Sequence, residues 1–189
     1  MPKTVDVSLI HRSALQVFVA RGYEAATTKE IAERAGVNEA TLYRRFNTKA
    51  ELIRTALAQE LGDSPFGHID GSDDVQNDIA MIVKAYIDTF EVFGVVVMVL
   101  LGEAARHPEI QGATSALLPN LQNAARIIAK HQATGKITPG NPMRKLVTLI
   151  APLAMMGITP KPMQGMIGNI GQMDPVSIAS EFLTGHLVR

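Results

Sequence analysis

Between Thr27 and Lys49 the chain gathers side chains suited to gripping a polar surface: TTKEIAERAGVNEATLYRRFNTK. The spacing predicts two short helices with a turn between them, then the start of a further helix. Thr27 can cap the first, because its hydroxyl reaches the N–H three residues on and Glu30 can reach back. Ile31, Ala32 and Ala35 give that helix one apolar side. Gly36 ends it where a left-handed backbone is usual. Val37 packs under the turn and Asn38 caps the second helix. That helix carries Leu42 and Phe46 on one face, with Glu39, Thr41, Arg44 and Arg45 elsewhere. A short helix with a small apolar footing and several reaching polar groups fits a DNA major groove, which admits one α-helix.

Supporting elements lie on both sides. Ile10, Ala14, Val17 and Phe18 share one face of a helix predicted from Val5 to Arg21, ended by Gly22. Arg12 or Lys3 could reach a phosphate from this end. Thr48 and Glu51 form a capping box for the helix after the motif, whose apolar face is Leu52, Ile53, Ala56 and Leu57 and which ends near Gly62.

The run Gly22-Tyr23, Thr27-Thr28, Ile31-Ala32, Ala35-Gly36-Val37, Thr41-Leu42-Tyr43, Phe46 and Lys49 resembles the N-terminal domain of the TetR family of bacterial transcriptional regulators, over about the first sixty residues. Asn38 stands where the family often has serine, and Asn47 where it often has proline or glycine. The resemblance implies an all-α fold: an N-terminal three-helix head with a helix-turn-helix (1–48), a connecting helix (49–62), and a helical body for ligand binding and dimerisation (63–189). It implies that Thr28 and Tyr43 hydrogen-bond phosphates and that Lys49 pairs with a phosphate, contacts that fix register. It places Lys29, Glu39, Ala40, Thr41 and Arg44 near base edges. Arg44 or Lys29 could donate to guanine, Glu39 could accept from cytosine, and Ala40 could touch a thymine methyl.

Composition narrows the alternatives. Apolar residues make up 47% of the 189, enough for a core, and there is no cysteine, so thiolate metal sites and disulfides are excluded. A formal net charge of zero argues against indiscriminate coating of nucleic acid. Residues 1–61 nevertheless carry nine Lys/Arg against seven Asp/Glu, while 62–189 carry nine against eleven. No signal peptide is visible, and the longest apolar run, Val95 to Leu101, is far below the roughly 20 residues of a membrane span. A soluble cytoplasmic protein is expected. An enzyme is not: there is no Gly-x-Ser-x-Gly, no phosphate-binding glycine loop and no His-x-x-x-His pair, and the five histidines are scattered. His68 with Asp70, Asp73 and Asp74 could suggest a metal, but carboxylates before a helix are favoured by its dipole, so no metal or cofactor is expected.

In the body, 62–78 reads as a linker with Ser72 or Asp73 as N-cap of the next helix, Val75 to Phe93. Gly94 is expected to interrupt it, with a buried helix from Val95 to Arg106. His107-Pro108 stops that helix, and another runs from Glu109 to Ala133, kinked or restarted at Pro119. Residues 143–158 form an apolar helix bent at Pro152, 159–173 a loop, and 175–188 the last helix, with Pro175 at its first position. These last two helices are the expected homodimer surface, a four-helix bundle by the resemblance. Two copies would match a palindromic DNA operator with half-sites about 34–36 Å apart or a multiple. Met81, Tyr86, Phe90, Met98, Asn123, Ile127, Met155 and Met156 are candidate lining for a small apolar effector. A repressor released by that ligand is the expected function; a ligand sensor or carrier without DNA binding is the alternative.

Overall fold

Residues 6–159 and 174–187 are described by a computed structural model. The helices are α1 (Val7–Ala25), α2 (Thr28–Ala35), α3 (Glu39–Phe46), α4 (Lys49–Gly62), α5 (Val75–Ala104), α6 (Pro108–Gln111), α7 (Leu118–Ala133), α8 (Pro142–Ile158) and α9 (Pro175–Thr184). The fold is all-α; among the described residues the only extended pairing is an isolated bridge between Ile137 and Leu187. The chain forms two compact units. One holds residues up to Leu61 together with Val95–Leu118; the other holds Gly62–Gly94 and Pro119 onward. Nothing in the local sequence marks 95–118 as belonging with the first unit.

Local signals account for most of the first unit. Asp6 caps α1 by accepting the N–H groups of Ser8 and Leu9. The α1 helical path breaks at Gly22, at φ 73° and ψ 177°, a region essentially closed to other residues. Ile10, Ala14, Val17, Ile31, Leu42 and Phe46 then meet in one core, which fixes α3 across α1 and α2. Val5 and Lys3 lie outside the described residues.

The second unit has its own core, in which Ile79, Ile82, Val83, Ile128, Ile137 and Leu146 are fully enclosed. At its centre Asp78, wholly buried, accepts the Ser72 hydroxyl and N–H, and lies 2.7 Å from His131 Nε2. Burial pushes the Asp78 carboxyl up, but the Ser72 hydroxyl and N–H and the His131 ring pull harder, and it ends below the usual carboxylate value. Ser72 is thereby used, and the N-cap of α5 falls to Asp74, which accepts the Asn77 N–H at 3.0 Å. Neither Ser72 nor Asp73 caps α5; Asp73 pairs with Lys130 instead.

Gly94 does not interrupt α5, which runs unbroken through 30 residues. A Cβ at this position would lie 2.6 Å from the Phe90 ring, so glycine here makes room for an aromatic side chain. Nor is the segment after it uniformly buried: Val96 and Leu100 are enclosed, whereas Val95 is 65% exposed. By length and composition α5 could cross a bilayer, with a mean hydropathy of 1.8 in its best window, which the seven-residue run in the sequence does not reveal. Its ends are committed to protein, Asp78 to His131 and Glu103 to Tyr23. The helical stretch expected at 109–133 restarts at Leu118 beside Pro119, as the proline implied, and Pro152 sits within a continuous α8. The last helix stops at Thr184, and Leu187 pairs with Ile137. The loop expected at 159–173 falls, beyond Thr159, outside the described residues.

Candidate nucleic-acid interface

The turn between α2 and α3 follows from three residues. Thr27 accepts the Glu30 N–H at 3.1 Å, Gly36 adopts φ 65° and returns its N–H to Ala32 and Glu33, and Asn38 accepts the Ala40 N–H at 2.8 Å. Leu42 and Phe46 point into the core. Because these two anchor one side of α3, the opposite side is presented outward. Lys29, Ala40, Tyr43, Arg44 and Arg45 are exposed; Thr28, Glu39 and Thr41 are half-buried at the seam. All of these lie on α2 and α3, so the structure brings together every sequence-derived contact residue of the motif except Lys49.

The Glu39 carboxylate at the seam has a hydrogen-bond donor. The Thr28 hydroxyl donates to it at 2.5 Å and lies 3.1 Å from the Tyr43 hydroxyl, which can donate in return. The trio ties the start of α2 to α3. Lys29 and Arg44 form no hydrogen bond or ion pair among the described residues, so both cations keep their donors for an outside partner. Asn47 closes α3 at φ 59°, the sole non-glycine residue with positive φ among those described.

Lys49, for which the resemblance implies a phosphate contact, has partners within the chain. Its ammonium is held by the carbonyls of Tyr23, Ala26 (2.8 Å) and, more weakly, Glu24 (3.4 Å), and sits 4.3 Å from the Tyr23 ring centroid. These carbonyls end α1, where a cation is favoured. Burial lowers the Lys49 pKa, an effect opposed by Glu109 and Glu24. A phosphate contact would require leaving these partners.

Two groups that shape this unit escaped the sequence reading. His11 is 4% exposed on α1, its ring 5.8 Å from that of Phe46, and both ring nitrogens are buried without a hydrogen-bond partner. Burial, and secondarily Arg45, holds it below the usual histidine value. Its spacing, three residues before Ala14 and seven before Phe18, was the available signal. Glu103 is also buried and accepts the Tyr23 N–H at 2.7 Å; that contact spans 80 positions and leaves no local trace.

The candidate ligand residues divide. Within the second unit Met81 and Tyr86 are partly buried against the core, and Phe90 stacks on Tyr86 at 5.8 Å. Burial pushes the Tyr86 phenol up to about 12. Ile127 is core, and Asn123 is occupied by the Ile69 carbonyl. Met156 is half-buried and Met155 is 62% exposed. Met98 belongs to the other unit and is exposed. Among the described residues no group of three or more His, Asp or Glu is placed to hold a metal ion.

Residues 10–56 match the family model for bacterial regulatory proteins of the tetR family. Over 47 residues the chain is 51% identical to an uncharacterised HTH-type transcriptional regulator, YvkB of Bacillus subtilis, covering 25% of each chain. It is 35% identical over 82 residues to the HTH-type transcriptional activator FasR of Mycolicibacterium smegmatis, covering 42% of this chain and 37% of FasR. The matched part thus spans only about a quarter to two-fifths of these relatives' length. Beyond it the likeness is one of fold. A TetR-family regulator from Pseudomonas syringae pv. tomato superposes with a TM-score of 0.73 at 19% identity, covering 99% of this chain and 100% of that one. FadR of Bacillus halodurans, a fatty acid degradation regulator, gives 0.69 at 16% identity, covering 95% and 96%. The N-terminal segment of this chain is similar to the helix-turn-helix domain of the TetR family, and along its length the chain has a fold like that of solved structures from that family.

Proposed function

We propose that the chain is a sequence-specific DNA-binding transcriptional regulator, in which α3 enters a major groove. The observation that carries this reading is the split of α3: Leu42 and Phe46 locked in the core, and Arg44, Tyr43 and Ala40 exposed with no internal use for the Arg44 donors. Arg44 and Lys29 read bases and Tyr43 sets register on a phosphate; Thr28, whose one hydroxyl proton is given to Glu39, contacts a phosphate by giving up that bond. Lys49 serves by fixing the end of α1.

The chain acts as a homodimer through α8 and α9. Val147, Met155 and Ile158 lie exposed along one face of α8, and Val176 is 58% exposed on α9, a set that a second copy would cover. A small apolar effector in the second unit, against Met81, Tyr86 and Phe90, releases the DNA by favouring the conformation that binds it less well. Repression relieved by that ligand is the regulatory outcome of this reading.

Selection of bound duplexes from a random pool tests the proposal. A palindromic site is expected to be enriched, and recovery of no preferred sequence would overturn it.

A further inference from the structure

Tyr23 is where three elements meet. Its N–H donates to Glu103 at the end of α5, its carbonyl accepts from Lys49 at the start of α4, and its ring packs between the Lys49 ammonium and His107, at 5.6 Å. The N-cap of α2, Thr27, follows four residues later, and α3 ends three residues before Lys49. Both ends of the helix-turn-helix segment are therefore clasped at one residue. Glu103 is the anchor of that clasp from outside the segment. It is 8% exposed, and its other oxygen contacts are Arg106 and His107, the latter at 3.6 Å. A Cβ on Gly22 would lie 3.4 Å from Glu103 Oε2, so the turn brings the backbone close to the carboxylate.

A buried carboxylate is an expensive way to gain stability, because its desolvation offsets much of its attraction to partners. What it supplies that an apolar side chain cannot is direction: one oxygen fixed on one N–H. We propose that Glu103 is a positioning residue for DNA recognition, setting the pose of α2 and α3 through Tyr23 without touching DNA. This rests on the DNA-binding reading above. The hydrogen bond to Tyr23 is the largest influence holding the Glu103 carboxyl below its usual value, consistent with a tight contact.

The test compares Glu103→Gln, which keeps an oxygen at the same reach, with Glu103→Asp and Glu103→Ala, which withdraw or delete it. Affinity for the pool-selected duplex is measured at a temperature where circular dichroism shows each variant folded. Glu103→Gln is expected to bind within about threefold of the parent, and Glu103→Asp about tenfold or more weakly, the loss of one charge-assisted hydrogen bond. Amide hydrogen exchange across residues 24–48 without DNA should quicken in Glu103→Asp and not in Glu103→Gln. Where Glu103→Ala does not fold, the Asp and Gln pair decides. A folded Glu103→Asp that binds like the parent would overturn the inference and leave the DNA-binding reading intact. A parent protein that selects no duplex would overturn both.

Discussion

His11 offers a direct measure of how much an unpaired polar group costs beneath α3. In its neutral form the ring has one N–H donor and one acceptor, and both are buried without partners beside Phe46. A buried group left unsatisfied costs roughly 1–3 kcal/mol. Leucine has a similar bulk and no such need, so His11→Leu should stabilise the protein by about 1–3 kcal/mol near neutral pH. For a chain of this length each kcal/mol raises Tm by about 2–4 °C. The pH dependence gives a second reading. The folded-state pKa is depressed by burial and then by Arg45. Above the unfolded value of about 6.5 both states are neutral and the group is silent. As pH falls below that, the unfolded chain takes up a proton first, and stability drops by up to about 1.4 kcal/mol per pH unit until the folded value is reached. His11→Leu removes this loss. Thermal melts of both proteins from pH 8 to pH 5 check it: the gap should widen as pH falls. Parallel curves, or a less stable leucine variant at pH 7.5, would show that the histidine is satisfied and refute the reasoning.

Four further outcomes are expected. Gly22→Ala forces a side chain into φ 73°, ψ 177° and should cost about 1–3 kcal/mol in a denaturant titration. Asn47→Gly relieves a positive φ of 59° and should raise stability by about 1 kcal/mol, seen as a higher Tm. Asp78→Ala strips the buried partner from His131 and Ser72 and should cost about 3–5 kcal/mol near pH 7. Because the Asp78 pKa is depressed, its contribution is present above the unfolded value of about 3.9 and is lost as pH falls through the folded one, so the two proteins should converge in acid. Arg44→Ala should weaken binding to the selected duplex by about 1–3 kcal/mol and relax preference at one base position, whereas scrambled duplex should change little.

The helix-turn-helix was legible because its signals are local. Thr27, Gly36 and Asn38 each act within three or four residues, and the 3.6-residue period of Ile31, Ala35, Leu42 and Phe46 chooses the inward face; the structure keeps these caps and this burial. Gly22 as the end of α1 was equally local, since only its own backbone angles are at issue. Where a residue had two possible meanings, sequence could not choose between them. Gly94 read as a break because a missing Cβ lowers helix propensity, yet the same missing Cβ admits Phe90, and packing outweighs a propensity cost of about 1 kcal/mol. Ser72 had the right chemistry for a cap and was claimed by Asp78. Lys49 could serve a phosphate or a helix end, and only folding brings the Tyr23 and Ala26 carbonyls to its ammonium. Sequence alone thus determined the motif and its outward edge, because capping and periodicity are short-range. Tertiary structure decided what holds that edge in place, because the Glu103–Tyr23 bond joins groups 80 positions apart, and no local preference encodes a distance that only folding creates.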